Sequence, residues 1–366
     1  AMLIDPIQIA ETFALHHGVL NNEMEEWYAR GYTPAGLEVW TMIRAMDYLE
    51  TRPEVDPERV GVTGRSGGAG MSWFSASIDE RIKAVVPVMG ISTYAANLEA
   101  NTQNLHCDCM FAINSWMQDM LHQGALIAPR PLLMAHGKQD ALFPVPGYEE
   151  FERVMGRLYD GYGHHERFRN IVVDTGHEDS DFLRAESVKW FDKFLAEVPE
   201  REIDVSYEEV PPEELTVFGG QPPKDALNYR AHELFIPAAP APRFSTLEQW
   251  ELRRTELLAK LRVRVFGAFP DGVEPVAAPS ERSASNGFEA LAITTEPGIV
   301  VEAQLRLAKE QTGPALLYVA SDGEDDVAIR DTLRQIAYAP GNAAMILRPR
   351  GVGEVPWPKK ARKDMD

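Results

Sequence analysis

The first chemical signal in this sequence is Gly64-Arg65-Ser66-Gly67-Gly68. A serine with glycines two positions before and after it, G-x-S-x-G, has the spacing that lifts a hydroxyl off a sharp strand-to-helix turn. The two glycines are expected where the turn brings backbone too close for side chains. A helix starting just beyond the serine offers N–H groups without intrahelical acceptors and a partial positive charge, so the Gly67 amide can donate to the oxyanion of a tetrahedral intermediate. Such a serine needs a base, and the base needs an orienting acid, in the chain order Ser, acid, His. Asp140 stands in His136-Gly137-Lys138-Gln139-Asp140-Ala141-Leu142-Phe143-Pro144, and His177 in Asp174-Thr175-Gly176-His177-Glu178. Ser66 is therefore the candidate nucleophile and His177 the candidate base and then acid. Asp140 would hold the imidazole in its tautomer and stabilise the imidazolium.

These side chains need a scaffold that delivers them to one edge. Residues 36–50 carry Val39, Met42, Ile43 and Met46 at the spacing of a helical stripe. Arg52-Pro53 stops that helix, because a residue before proline avoids helical backbone. Arg59 to Thr63 reads as a strand, followed by the glycine turn and a helix through Met71 to Ile78. Lys83 to Val88 and Arg130 to Ala135 are further strands, with a helix from Tyr148 to Tyr159. Ile171 to Val173 is the next strand, and Ser180 to Glu197 a closing helix. This alternation predicts an α/β fold, a doubly wound, mostly parallel sheet covered on both faces. Asp140 and His177 then project from loops at the carboxyl ends of strands, where open α/β sheets put their sites.

Residues 92–123, rich in Asn, Met, Trp and Cys, break the alternation and are expected to form a lid-like insertion. The catalytic core is thus assigned to residues 1–197. Residues 198–245 read as a proline-stiffened linker. In the C-terminal segment, 246–366, a helix is expected at 246–261. Strands are expected at 299–307, 315–319 and 344–347, with a helix at 327–337.

Lys and Arg total 36 against 56 Asp and Glu, a net charge of −20 over 366 residues. That field repels phosphate backbones and anionic lipid heads, so neither nucleic acid nor a membrane surface is an expected partner. No stretch approaches the ~20 apolar residues of a membrane helix. The two cysteines, Cys107 and Cys109, are one residue apart, a poor disulfide pair, and read as buried structural thiols. Zinc needs about four ligands, and beyond His106 and Asp108 no second Cys/His pair is evident, so no metal is expected. The chain shows no signal peptide. Met2-Leu3-Ile4-Asp5 reads directly as a strand, so the natural N-terminus is expected upstream and the compartment is left undetermined.

Residues 1–197 resemble an α/β-hydrolase of the acetyl xylan esterase-like and prolyl-oligopeptidase-like group. The likeness is carried by Asp56 to Gly68, Ala128 to Leu133, Gly137 to Asp140 and Gly176-His177, with Leu105 to Phe111 similar to a piece of uncharacterised members. The resemblance implies a serine carboxylic-ester hydrolase working through an acyl-enzyme without a cofactor, on short-acyl or carbohydrate esters. In such hydrolases, the strand bearing the second oxyanion donor precedes the one that Met2 to Asp5 resembles. Residues 299–354 look like that missing kind of material. They are expected to begin a second hydrolase-like repeat rather than to complete the first sheet, in cis or from a neighbouring chain of a homo-oligomer. The alternatives are a prolyl-oligopeptidase-like serine peptidase, for which no gating repeat is visible, and a catalytically silent binding protein.

Arg65, His16, His17 and Trp116 are the candidate substrate-pocket residues. Each singled-out residue also has a plainer reading. Ser66 would be a turn serine, Asp140 a turn aspartate with Asp174 as the acid, and His177 a structural loop residue. His16-His17 and His164-His165 would be loop pairs, and His136 a structural strand end. Trp40, Trp73 and Trp116 would be packing, and Glu208 to Glu214 a solvated linker.

Overall fold

The computed structural model describes residues 1–7, 9–267, 269, 276–279, 287–310, 312–325, 327–329, 331, 333 and 339–353. The chain divides into two units, Ala1–Gly267 and Ala268–Asp366. The first unit begins with two short helices, α1 (Gly18–Asn22) and α2 (Glu26–Arg30), and then a long one, α3 (Pro34–Glu50). Thr33 caps α3 by accepting the Gly36 amide at 3.0 Å, and Pro34 fits the first turn, where no N–H partner is required.

Strand β1 (Gly61–Arg65) leads into α4 (Gly67–Ile78), then β2 (Ala84–Val88), α5 (Tyr94–Ala100), α6 (Met120–Ala125), β3 (Leu132–Gly137), α7 (Val145–Gly161), β4 (Phe168–Val173) and α8 (Asp181–Phe191). The four strands pair in the order β1-β2-β3-β4, all parallel. Alternate residues of the strands feed different cores. Val85, Leu132 and Met134 join Met71, Trp73, Phe74, Phe151 and Met155, under α4 and α7. Val86, Val88, Leu133, Ala135 and Ile171 join Leu183 and Trp190, under α8. Burial on both faces is why these strands read as continuous apolar runs rather than as alternation.

Trp73 is fully buried, edge-on to Phe151 at 5.2 Å, and its indole N–H donates to the Met120 carbonyl at 3.2 Å. It occupies the space that a Cβ on Gly124 would need. Trp40 is not core: it is 47% exposed, with the Arg44 guanidinium 5.9 Å from its ring. Arg130 ties the start of β3 to the end of α4, donating to the carbonyls of Asp79 at 3.0 Å and Ile82 at 2.7 Å.

Several expectations change on folding. Met2 to Asp5 form no strand, since no neighbouring chain segment pairs with them among the described residues. Residues 92–123 fold into α5, the start of α6 and two short 3-10 turns. The Asp119 carboxylate accepts the Tyr94 and Ala95 amides at 3.0 and 3.2 Å and so ties the two ends together. Part of the expected linker packs on the first unit: Glu11 accepts the amides of Val217, Phe218 and Gly220, and Trp27 lies 5.6 Å from His232. The helix Leu247–Lys260 belongs to this unit too.

The second unit is built on a five-stranded sheet of β5 (Val276–Pro279), β6 (Glu289–Glu296), β7 (Ile299–Arg306), β8 (Ala315–Val319) and β9 (Ala343–Arg348), in the order β5-β6-β7-β9-β8. A hairpin joins β6 to β7, and β8 runs parallel to β9. Phe288, Ala320, Ile329, Leu333, Ala344 and Ile346 form its core. Of the helix expected at 327–337, residues 330, 332 and 334–337 lie outside the described residues.

His136 on β3 is 2% exposed and stacks on Tyr148 at 4.5 Å. Burial holds its pKa down to about 3, so the folded protein keeps it neutral. The unfolded chain binds a proton at His136 near pH 6.5. The neutral imidazole's stability is therefore fully present above that pH and is lost as pH falls toward 3, at up to about 1.4 kcal/mol per pH unit. His136→Phe is expected to flatten this slope, and urea unfolding at pH 7, 6 and 5 checks it. Equal slopes in both proteins would contradict the assignment.

Candidate active site

The site grows from the end of β1. Ser66 sits between β1 and α4 with φ 56° and ψ −118°, a backbone conformation that a side-chain-bearing residue adopts only when its surroundings enforce it. Its amide continues the ladder, donating to the Val88 carbonyl at 3.0 Å, while its carbonyl accepts the Ala69 and Gly70 amides at 2.9 and 3.1 Å as the first bonds of α4. Two glycines make the turn fit. A Cβ on Gly64 would lie 2.5 Å from the Gly68 carbonyl carbon, and one on Gly90 would strike the Ser66 carbonyl. Gly68 itself differs from the expectation, because a Cβ there meets nothing within 4 Å. Of the two outer glycines of the G-x-S-x-G motif, only Gly64 carries a steric requirement. Gly67, at the first position of α4, has an N–H without an intrahelical acceptor.

Parallel strands end on the same side, so the loops after β3 and β4 adjoin this turn. They close on each other because position 137 is glycine: a Cβ there would strike the carbonyls of Gly176 and Thr175. Lys138 and Gln139 donate their amides to Val173 at 2.8 Å and Thr175 at 2.9 Å. The result brings Asp140 and His177 together. The Nδ1–H of His177 donates to Asp140 Oδ2 at 2.8 Å, and the Leu142 amide donates to Asp140 Oδ1 at 2.9 Å. With both oxygens engaged and the side chain 1% exposed, the carboxylate has a fixed orientation. Asp174, the alternative acid, instead accepts from Gln139 Nε2 at 3.0 Å.

Phe143 stacks on the His177 ring at 5.8 Å, and His106 packs on Phe143 at 4.8 Å. Burial pulls the His106 pKa below its ordinary value. The sequence offers His106 only as a possible metal ligand beside the cysteines and gives no signal for Phe143. His106 lies in the Leu105 to Phe111 segment and Phe143 three residues after Asp140.

The pocket candidates separate. Arg65 is exposed, and its Nη1 donates to the His177 carbonyl at 3.4 Å, linking the serine turn to the histidine loop. His16 and His17 meet edge-to-face at 4.6 Å. His16 is half-buried, 3.8 Å from the Glu38 carboxylate, so the pair is not a solvated loop. Burial, then His17, lowers the His16 pKa to about 4, and burial raises that of Glu38 to about 8. Trp116 is 63% exposed, with Arg264 over its ring at 5.9 Å. Cys107 and Cys109 are bonded as a disulfide, which corrects the expectation of two thiols. The short turn Asp108–Met110 brings their Cα atoms to 5.3 Å, within the range a disulfide spans.

A parallel sheet covered on both faces, with a strained serine heading a helix after its edge strand, is an α/β-hydrolase-type fold. Residues 33–158 match the model of the dienelactone hydrolase family. A Bacillus subtilis (strain 168) protein named "Putative hydrolase YtaP" is 29% identical over 174 residues, covering 47% of this chain and 58% of that protein. Among solved structures, the glucuronoyl esterase catalytic domain from Hypocrea jecorina is 18% identical with a TM-score of 0.42, over 51% of this chain and 60% of that one. The methylesterase BT1017 is 20% identical with a TM-score of 0.43, over 55% and 46%. The chain thus spans about three-fifths of the length of the first relatives it matches. Among the described residues, no helix is long and apolar enough to cross a membrane.

The two glycines of the turn give a paired test. Gly64→Ala is expected to cost at least about 3 kcal/mol or prevent folding, because backbone cannot retreat from backbone. Gly68→Ala is expected to be neutral or stabilising by up to about 1 kcal/mol, since it removes a helix glycine in open space. Thermal unfolding of both variants checks this, and similar losses would contradict it.

Proposed function

We propose that the first unit is a serine carboxylic-ester hydrolase with Ser66 as nucleophile, His177 as general base and Asp140 as orienting acid. The observation that carries the reading is the 2.8 Å bond from His177 Nδ1–H to a buried, doubly engaged Asp140, on the sheet edge where the strained Ser66 heads α4. With the Nδ1 proton held by Asp140, Nε2 is the nitrogen left with a lone pair to take the serine proton.

In the first step, Ser66 Oγ attacks the ester carbonyl carbon while His177 takes its proton. The Gly67 N–H stabilises the oxyanion at the head of α4. Collapse of the tetrahedral species breaks the carbon–oxygen bond to the alcohol, which leaves with the proton from His177. Water then attacks the acyl-enzyme with His177 again as base, releasing the acid and restoring the serine. The imidazolium formed in each step is stabilised by the adjacent carboxylate.

The proposed substrates are short-acyl or carbohydrate esters. A cavity of about 430 Å³ is lined by Tyr28, Tyr94, Asn97, His106 and Phe111 among others, and by none of Ser66, Asp140 and His177, so it does not size the acyl site. His106 connects its wall to the Phe143–His177 stack.

Hydrolysis of p-nitrophenyl acetate, butyrate and octanoate tests the reading. Ser66→Ala is expected to lower kcat by roughly 10⁴-fold or more, and Asp140→Asn by about 10⁴-fold through loss of the correct tautomer. Acetate and butyrate are expected to exceed octanoate in kcat/KM. Full activity in Ser66→Ala would overturn the nucleophile, and activity unaltered in Asp140→Asn with loss in Asp174→Asn would move the acid to Asp174.

A further inference from the structure

Three side chains with metal-ligand chemistry meet beside the serine turn and take no part in the proposed hydrolysis. His16, Cys107 and Cys109 offer ligand atoms that all lie within 4.8 Å of one another. Cys109 is 1% exposed, and the other two are half-buried. They come from segments some ninety residues apart, and a specific contact joins those segments. Asp108, between the cysteines, accepts the Val19 amide at 2.8 Å and the Leu20 amide at 3.3 Å, fixing the stretch that carries His16 against the Cys-x-Cys turn. Glu38 provides an independent sign. Its side chain is 4% exposed, with Oε1 3.8 Å from His16 Nε2, and that oxygen accepts no hydrogen bond among the described residues. A carboxyl group buried at this distance from an imidazole with no hydrogen-bond partner for that oxygen lacks the compensation that a buried polar group needs.

We propose that His16 and the reduced Cys107–Cys109 pair form a binding site for a thiophilic divalent cation of the Zn²⁺ class, which disulfide formation closes. Two sulfurs and one imidazole nitrogen are a donor set for zinc rather than for magnesium or calcium, which take oxygen. Tetrahedral zinc with bonds of ~2.3 Å separates two thiolate sulfurs by about 3.8 Å, which χ1 rotation provides at the observed Cα spacing of 5.3 Å. The fourth position is left for water.

The chemistry balances with a dithiol as reductant. Thiolate attack breaks the Cys107–Cys109 bond through a mixed disulfide, and the reductant closes to its own disulfide as two electrons and two protons pass to the protein sulfurs. Zinc then displaces one proton from each thiol to form two metal–sulfur bonds, with neutral His16 as third donor. The site abuts the serine turn, since a Cβ on Gly67 would lie 4.0 Å from Cys109 Sγ.

The experiment uses the whole chain, reduced with a dithiol under anaerobic conditions, freed of reductant and titrated with Zn²⁺ by calorimetry, alongside the oxidised chain. The expected result is one Zn²⁺ per reduced chain, no such binding to the oxidised chain, and a thiolate-to-metal charge-transfer band when Co²⁺ replaces Zn²⁺. Cys107→Ser/Cys109→Ser is expected to abolish the band. His16→Gln, which keeps both cysteines, is expected to weaken Zn²⁺ binding about 10- to 100-fold. Circular dichroism establishes that both variants are folded. Absence of stoichiometric Zn²⁺ in the reduced chain would overturn the proposal, as would equal binding by the double serine variant or Co²⁺ uptake without the band.

Discussion

The chain reverses between β1 and α4 at a single residue, and most of the site depends on how that reversal is held. Ser66 has a backbone conformation that costs on the order of 1–3 kcal/mol in isolation, at φ 56° and ψ −118°. It persists because it is bonded on both sides, by the ladder bond to Val88 and by the first two bonds of α4. Neighbouring backbone also packs against it where Gly64 and Gly90 have no side chains. The strain is local, and the stabilisation comes from a sheet with both faces buried.

The same logic governs the other loops. A glycine at 137 lets the loop carrying His177 lie on the end of β3, and two backbone bonds, from Lys138 and Gln139, lock the two loops together. Asp140 then reaches His177 with both carboxylate oxygens engaged. Arg65, next to the serine, holds the histidine loop by its carbonyl. Positioning here is therefore done by backbone and glycine, and the reactive side chains add few contacts of their own. On the far side of the turn the same close packing brings Cys109 next to Gly67. Chemistry at the cysteine pair is thus close to the proposed oxyanion donor.

Much of the first unit was legible in the sequence because its signals are local. A strand, a glycine turn and a helix lie in consecutive residues from Arg59 to Ile78. The apolar runs of β2 and β3 are those of strands buried on both faces. Asp140 and His177 were legible as loop residues just past strands; which carboxylate faces the ring was not, and in the structure it is Asp140, while Asp174 accepts from Gln139. What stayed hidden depends on contacts between distant segments. No spacing rule brings His16 to Cys107 and Cys109, because the link is the Asp108 side chain bonding to the Val19 and Leu20 amides. Met2 to Asp5 has strand-forming residues but no pairing partner among the described residues, and a strand is defined by its neighbour. Trp116 had the composition of a pocket residue, yet its placement against Arg264 comes from chain far along the sequence.

The central claim, an activated serine at position 66, is tested most directly by covalent labelling with a fluorophosphonate, read by intact mass and peptide mapping. The account predicts one phosphonyl group per chain on the peptide containing Ser66, formed much more slowly in His177→Gln. No adduct on the folded protein, an adduct elsewhere, or an unchanged rate in His177→Gln would contradict it.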